Sequence, residues 1–324
     1  MPDDQSASAV DAAAESLNSG KFYVLLLFVS GLGALGALMM VFFFFLEDVF
    51  DGLLWGGITT ESLTPVFNPW ILIICSAGGL GVGLIRHYFG GEISIMAEDL
   101  IEFNEKGRFT LKRGVELFVR GLVSLVCGAP LGPEAPLTVS CGAVGTVVAE
   151  KARLPAPVVT LSALSSISGF FGAFLSSPFA GALIFIETTL EKGIMTWKAV
   201  LPSIVAATAG VAVYFLVSGT LLINAFVLPE YTIFRDIDLV YSILLGIVGA
   251  GLGIFFITLY KKMRSVFEPY EDRPILLGLA GGIGLGIAGM LVPLTLFMGS
   301  EQLQFLINHY MVVSVLLLLA IVVV

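Results

Sequence analysis

Long apolar runs separated by short polar connections dominate the chain. Their approximate bounds are 21–46, 69–89, 115–128, 135–149, 156–190, 197–224, 237–260, 274–297 and 310–324. A hydrocarbon core of about 30 Å needs about 20 helical residues to cross it. Several runs are shorter than this, whereas others are longer and are interrupted by glycine and proline. The pattern therefore predicts an all-α, polytopic membrane protein with tilted and half-spanning helices.

The composition is that of a membrane protein and excludes several classes of partner. Hydrophobic residues make up 57% of the chain and charged residues only 13%, against about 25% charged residues in soluble domains. The net charge is −9, and there is no stripe of lysine and arginine, which argues against nucleic acid and leaves the lipid bilayer as the surrounding partner. The three cysteines lie inside apolar runs without metal-ligand spacing, so neither a metal nor a cofactor is expected.

Lysine and arginine in the connections predict the orientation of the chain. Five basic residues fall in 86–113 and four in 261–273, whereas 47–68 and 298–309 contain none. Connections rich in lysine and arginine stay in the cytoplasm. The sequence therefore predicts a multi-pass protein of the cell membrane, with residues 1–20 as a cytoplasmic tail.

One glutamate, Glu134, lies between two prolines inside apolar sequence, in the stretch GAPLGPEAPLTV (128–139). The prolines at 130, 133 and 136 prevent a continuous helix, and the sequence from Ala135 onward is typical of a new helix. Glu134 is thus predicted at or just before a helix N-terminus, where free N–H groups favour an anion. A carboxylate within a membrane costs about 2.5–3.5 kcal/mol and is a functional candidate by default.

The backbone around this glutamate is the predicted anion-binding element, formed by Pro133, Ala135 and Pro136. A helix that is broken inside the membrane can direct its N-terminus at an anionic substrate. The alternative is that the Glu134 carboxylate only caps the helix. Both interpretations are compatible with the sequence.

Several motifs resemble those of the CLC chloride channels and transporters. GAPLGPEAP resembles the GREGP signature of this family, with Pro133 and Ala135 flanking the glutamate in place of a basic residue and a glycine. FLSSPFAGALIFIE (174–187) resembles a later family segment, in which a turn at Pro178 opens a short helix that ends in glutamate. The stretch GGIGLGIAGMLVPLTLFMGSEQL (281–303) resembles the opening of the second, inverted half.

The resemblance implies an inverted-repeat architecture and a homodimer in which each subunit has its own pathway. The first membrane repeat is expected at 21–224, and the second is expected to begin at 225 and to be incomplete at 324. The chain stops inside the apolar stretch LLLLAIVVV, which predicts truncation within a membrane helix.

The resemblance also implies a function, the transport of chloride or a similar small monovalent anion with Glu134 as the gate. The ionised carboxylate would occupy an anion site, and protonation or a swing of the side chain would admit the anion. The serine that contacts the central anion in the family corresponds either to Glu92 or to Ser94, and both remain candidates.

A second family position concerns whether protons are transported together with the anion. Exchangers of the family carry a proton-relaying glutamate directly after the position matched here by Glu187, and this chain has Thr188 there. Because threonine does not titrate, the sequence favours a channel or weakly coupled transport, with a proton-coupled chloride antiporter as the alternative.

Two further functions belong to other classes. A non-conducting or incomplete scaffold is an alternative, because the second half of the family fold supplies another helix N-terminus and a tyrosine hydroxyl to the anion site. A membrane-embedded enzyme is least favoured, since the sequence offers no HExxH or GxSxG motif to accompany Glu134 as a general base. The protein is therefore expected not to be an enzyme.

Overall fold

A computed structural model of the chain describes residues 19–58, 60–89, 96–183, 197–222 and 235–308. In chain order the helices are α1 (Ser19–Trp55), α2 (Pro69–Phe89), α3 (Met96–Lys106), α4 (Leu111–Val126), α5 (Glu134–Lys151), α6 (Ala156–Phe174), α7 (Trp197–Ser218), α8 (Asp236–Phe267), α9 (Pro274–Leu291) and α10 (Ser300–Asn308). Short 3-10 turns occupy Glu268–Tyr270 and Pro293–Thr295. These ranges contain no β-strand, and the all-α prediction is confirmed.

The polytopic character of the fold is also confirmed. Within the described ranges, six helical segments are long and apolar enough to cross a membrane. They are Phe22–Trp55, Pro69–Phe89, Ala156–Phe174, Val200–Ser218, Asp236–Tyr270 and Pro274–Leu291. Helix α4 has 16 residues, which corresponds to about 24 Å and is shorter than a hydrocarbon core of about 30 Å.

The apolar run 69–89 coincides with α2, and the runs predicted to begin at 156, 197 and 274 begin with α6, α7 and α9, but several other limits were wrong. Helix α1 continues through the acidic residues at 47, 48 and 51 to Trp55, although 47–68 was expected to be a connection. Acidic residues do not interrupt helical hydrogen bonding. The helix ends only where glycine follows, with Gly57 at a φ of 90°, a conformation that glycine adopts without strain.

Two predicted connections contain short helices, and one predicted run is divided. Helix α3 lies within 86–113 and helix α10 within 298–309, while α8 extends past 260 to Phe267. The run 156–190 is interrupted after α6, where Ser176 has a φ of 53°, and a new helical segment covers 178–183. Its start at Pro178 is the one that the family resemblance implied.

The chain divides into two compact units. Unit 1 comprises 1–56, 88–126 and 131–225, and unit 2 comprises 57–87, 127–130 and 226–324. In unit 1, α1, α6 and α7 pack against one another, α5 packs against α6, and α4 packs against α5. The sequence boundary between repeats at 224 and 225 stays a prediction.

Glycines allow the helices of unit 1 to approach one another at backbone distance. A Cβ added to Gly169 of α6 would collide with the backbone of Gly33 in α1, and a Cβ on Gly210 of α7 would collide with Gly169. In unit 2, Gly79 of α2 has the same relation to Gly278 of α9. Close backbone contact of this kind is a principal source of helix association in membranes.

We expect Gly169→Ala to destabilise the protein by about 1–3 kcal/mol, the usual cost of overpacking a close contact. The matched control is Gly31→Ala in α1, where an added Cβ meets nothing within 4 Å and improves helix propensity. Thermal unfolding in detergent measures the stability of each purified variant. Equal melting temperatures for the two variants would contradict the packing described for α1, α6 and α7.

Candidate functional site

Glu134 is the first residue of α5, as the prolines around it predicted. Pro133 precedes it with φ −76° and ψ −5°, and the carbonyl of Pro133 accepts the N–H of Leu137 at 3.0 Å. The N–H groups before Leu137 therefore lack carbonyl partners inside the helix. Because Pro133 and Pro136 have no N–H, the donors of this first turn are the amides of Glu134 and Ala135. The two prolines restrict the backbone conformation at the site but donate no hydrogen bond to an anion there.

The side chain of Glu134 folds back over the preceding backbone. A Cβ added to Gly132 would collide with the Glu134 carboxylate, so the absence of a side chain at 132 makes this pose possible. The glutamate is half-buried. Among the described residues, none forms an ion pair or a hydrogen bond with its carboxylate. No protein cation therefore holds the carboxylate at the helix start within this part of the chain.

Helix α4 positions the start of α5. Gly121 lies against the ring of Pro136, where a Cβ on the glycine would collide with it. The hydroxyl of Ser140 donates to the carbonyl of Gly114 at 2.8 Å and to that of Pro136 at 2.6 Å. The hydroxyl of Thr138 donates to the carbonyl of Glu134 at 2.6 Å. These contacts fix the first two turns of α5 and leave the Glu134 carboxylate outside the network.

A buried ionic network ties α4 to α3. Arg113 donates through Nε and Nη2 to one oxygen of Asp99, at 3.2 and 3.1 Å, and through Nη1 to Glu116 at 2.9 Å. Arg120 donates to the other oxygen of Glu116 at 3.1 Å. Asp99 and Glu116 are 5% and 3% exposed. Two arginines and two carboxylates thus neutralise each other inside unit 1.

This network was not predicted from the sequence, although a signal was present. Glu116 and Arg120 lie inside the run 115–128, which was treated as apolar. The spacing of Arg113, Glu116 and Arg120 places three charges on one face of a helix. That pattern, together with the apolar residues between the charges, could have indicated a buried ion pair.

The hydrogen-bond partners of the serine hydroxyls on α6 and α7 are a second feature that could not be predicted from the sequence. Ser162 and Ser165 donate to carbonyls of the preceding turn, at 2.6 and 2.7 Å, as serines in apolar helices commonly do. Ser166, Ser168 and Ser203 are fully buried, and their hydroxyls have no hydrogen-bond partner in the described part of the chain. A buried hydroxyl without a partner costs about 1–3 kcal/mol.

The structure brings only some of the predicted site residues together. Glu134 and its neighbours at 133, 135 and 136 form one helix start. The candidates for the central anion contact, Glu92 and Ser94, and the inner positions Glu187 and Thr188 lie outside the described residues. Their roles stay predictions. Within the described ranges, no group of three or more histidines, cysteines or acids is placed to hold a metal ion.

Comparison with known proteins identifies relatives along most of the chain. The sequence model of the family described as "Voltage gated chloride channel" matches residues 78–324. Two curated relatives, from Salmonella newport and Salmonella typhimurium, carry the name "Putative ion-transport protein YfeO". Each is 26% identical over 280 residues, which covers 84% of this chain and 66% of the relative. The chain thus spans slightly less than two thirds of the length of these relatives.

A solved structure shares the fold. The crystal structure of a CLC-type fluoride/proton antiporter matches with a TM-score of 0.71, over 95% of this chain and 76% of the antiporter chain. The two sequences are 14% identical over the match. At that identity the likeness concerns the arrangement of helices.

Proposed function

Because the chain belongs to the voltage-gated chloride channel family, we propose that it moves chloride or a similar small monovalent anion across the cell membrane, with Glu134 as the gate. The observation that carries this proposal is the position of Glu134. Its carboxylate lies at the first residue of α5, is half-buried, and has no ion-pair partner among the described residues. A transported anion would be attracted to the same place.

The proposed gate works by competition for the start of α5. The free N–H groups of Glu134 and Ala135 and the positive end of the helix dipole favour one negative charge. When the carboxylate is ionised, it competes with the transported anion for this position. When it is protonated, the neutral side chain no longer competes and the anion binds. Flux is therefore expected to rise as the pH falls.

The proposed transport is that of a channel or a weakly coupled transporter, because Thr188 cannot relay protons. A proton-coupled antiporter is the second candidate, and one solved structure with this fold is that of a CLC-type fluoride/proton antiporter. A homodimer with a cytoplasmic N-terminus is proposed from the family resemblance and from the basic connections. In this account the protein transports its substrate without chemical change and is not an enzyme.

The proposal is tested by anion efflux from liposomes that contain the purified chain, with external pH recorded at the same time. Separate preparations are loaded with chloride and with fluoride. Anion release without proton movement supports a channel, whereas linked proton uptake supports an antiporter and contradicts the interpretation of Thr188. Absence of release of either anion would contradict transport and would favour the scaffold.

We expect Gly132→Ala to increase flux at neutral pH. The added Cβ collides with the Glu134 carboxylate, which ends a flexible side chain and moves away from the start of α5. A penalty of about 1 kcal/mol against the present pose lowers its population about fivefold. Initial efflux rates measure the effect.

The control for this substitution is a double-mutant cycle. In a Glu134→Ala background there is no carboxylate to displace, so Gly132→Ala should leave the rate unchanged. An equal increase in both backgrounds would mean that Gly132 acts on something other than the gate.

A further inference from the structure

An apolar groove of about 170 Å³ runs along the outside of unit 1. It is formed by one face each of α1, α4 and α5. The side chains that define its walls are Met39, Phe42, Leu111, Val115, Phe118 and Val144. Phe42, Leu111 and Val115 are about half exposed, so the groove is open along one side.

The floor of the groove offers no free polar group. It is formed by Gly114 and Ser140, and the Ser140 hydroxyl already donates to the carbonyls of Gly114 and Pro136. A surface with satisfied polar groups and aliphatic or aromatic walls favours hydrocarbon over water. An engineered apolar cavity of about 150 Å³ binds benzene, so this volume can hold a short segment of an acyl chain.

One end of the groove is basic. Helices α4 and α5 are antiparallel, since Gly114 lies against Ala143 and Gly121 against Pro136. The start of α4 therefore lies beside the end of α5, as the 3.2 Å pair between Arg108 and Glu150 also indicates.

Three exposed cations lie at the start of α4 and at or just after the end of α5, namely Lys112, Lys151 and Arg153. None of the three pairs with an acid of the described ranges. Lys112 lies one helical turn before Val115, next to the groove wall. The charge of Glu150 is offset by Arg108, and Glu105 is the other acid near the start of α4 without an ion pair. The end of the groove therefore carries net positive charge.

We propose that this groove binds one acyl chain of an anionic phospholipid, whose phosphate lies among Lys112, Lys151 and Arg153. The apolar walls match the chain and the basic end matches the headgroup. Lys112 and the start of α4 belong to the connection 86–113, whose excess of basic residues favours a cytoplasmic position. Anionic lipids are concentrated in the cytoplasmic leaflet. The proposal is independent of anion transport, because it concerns the outer surface of unit 1.

The test uses the full chain in nanodiscs of phosphatidylcholine that contain a small fraction of phosphatidylglycerol with a photoreactive acyl chain. Irradiation followed by mass spectrometry of peptides maps the labelled residues. We expect label within 111–118 and 140–144. Val115→Phe fills the groove and should reduce labelling about tenfold, the loss expected when about two methylene groups are displaced. Lys112→Gln should reduce it about fivefold.

Matched controls separate this site from general contact with lipid. The first control is Val119→Phe. Val119 lies on the same helix, is 40% exposed and is outside the groove. Lys261→Gln removes an exposed cation of unit 2. Neither should change the labelling of the groove. Lys112 is exposed, so its replacement tests the proposal even if Val115→Phe fails to fold.

Three outcomes would overturn the proposal. Equal labelling in Val115→Phe and Val119→Phe would show that the groove does not hold the chain. If a photoreactive phosphatidylcholine labelled the groove as strongly as the phosphatidylglycerol does, the basic end would not select an anionic headgroup. Absence of lipid label at 111–118 and 140–144 in the unmodified protein would show that lipid does not occupy the groove, as would be the case if a second copy covered it.

Discussion

Replacement of Glu134 by glutamine is expected to abolish the pH dependence of anion flux and to leave the flux intact or raised. Glutamine resembles the protonated carboxyl in size and carries no charge, so it cannot compete with an anion for the start of α5. In the unmodified protein, flux should fall as the pH rises, because more of the carboxylate is ionised. Initial rates of chloride efflux at several pH values give the pH dependence of flux for both proteins.

The control for Glu134→Gln is Glu150→Gln, at the other end of the same helix. Glu150 pairs with Arg108 and is 45% exposed, so its neutralisation should leave the pH profile unchanged. If Glu134→Gln keeps the pH dependence of the unmodified protein, the gating role is wrong and another group sets the pH dependence.

Glu116→Ala is expected to cost about 3–5 kcal/mol of stability, the largest structural effect that the fold predicts. The substitution leaves Arg113 and Arg120 largely buried, and Arg120 loses the carboxylate that it contacts at 3.1 Å. Asp99 still pairs with Arg113, but the buried network keeps both arginines and loses one of its two carboxylates. Chemical or thermal unfolding in detergent measures the loss.

An exposed pair provides the comparison for Glu116. Glu102 lies one helical turn from Lys106 in α3, and the two side chains are 54% and 58% exposed. Glu102→Ala should cost less than about 1 kcal/mol, because solvent screens such pairs. A loss for Glu116→Ala as small as that for Glu102→Ala would mean that water reaches the network and that the two arginines are not desolvated.

The start of α5 was predictable because several local signals agree there. The prolines at 130, 133 and 136 exclude a continuous helix, the sequence from Ala135 onward favours a new one, and the single carboxylate between them is chemically distinct. Helix α2 was predictable for a similar reason, since Pro69 begins it and a pair of glycines follows Phe89. Where sequence signals mark both ends of an element, the fold follows them.

Other features depend on contacts that hydropathy does not encode. Helix α1 passes through three acids because a helix ends at a conformational break such as Gly57, not at a charge. The pose of Glu134 depends on the missing side chain at Gly132, which only the folded backbone reveals. The ion pairs of Glu116 were hidden because the average over an apolar run conceals charges that neutralise each other. The candidates Glu92, Ser94, Glu187 and Thr188 lie outside the described residues and stay predictions.

Chloride binding to the purified chain tests the central claim most directly, because it measures competition without requiring a complete pathway. Isothermal titration gives the dissociation constant of chloride at several pH values for the unmodified protein and for Glu134→Ala. We predict that the affinity of the unmodified protein weakens as the pH rises and the carboxylate ionises. Glu134→Ala should bind chloride tightly at every pH. Equal affinities for the two proteins across the pH range would contradict the claim that Glu134 occupies an anion site.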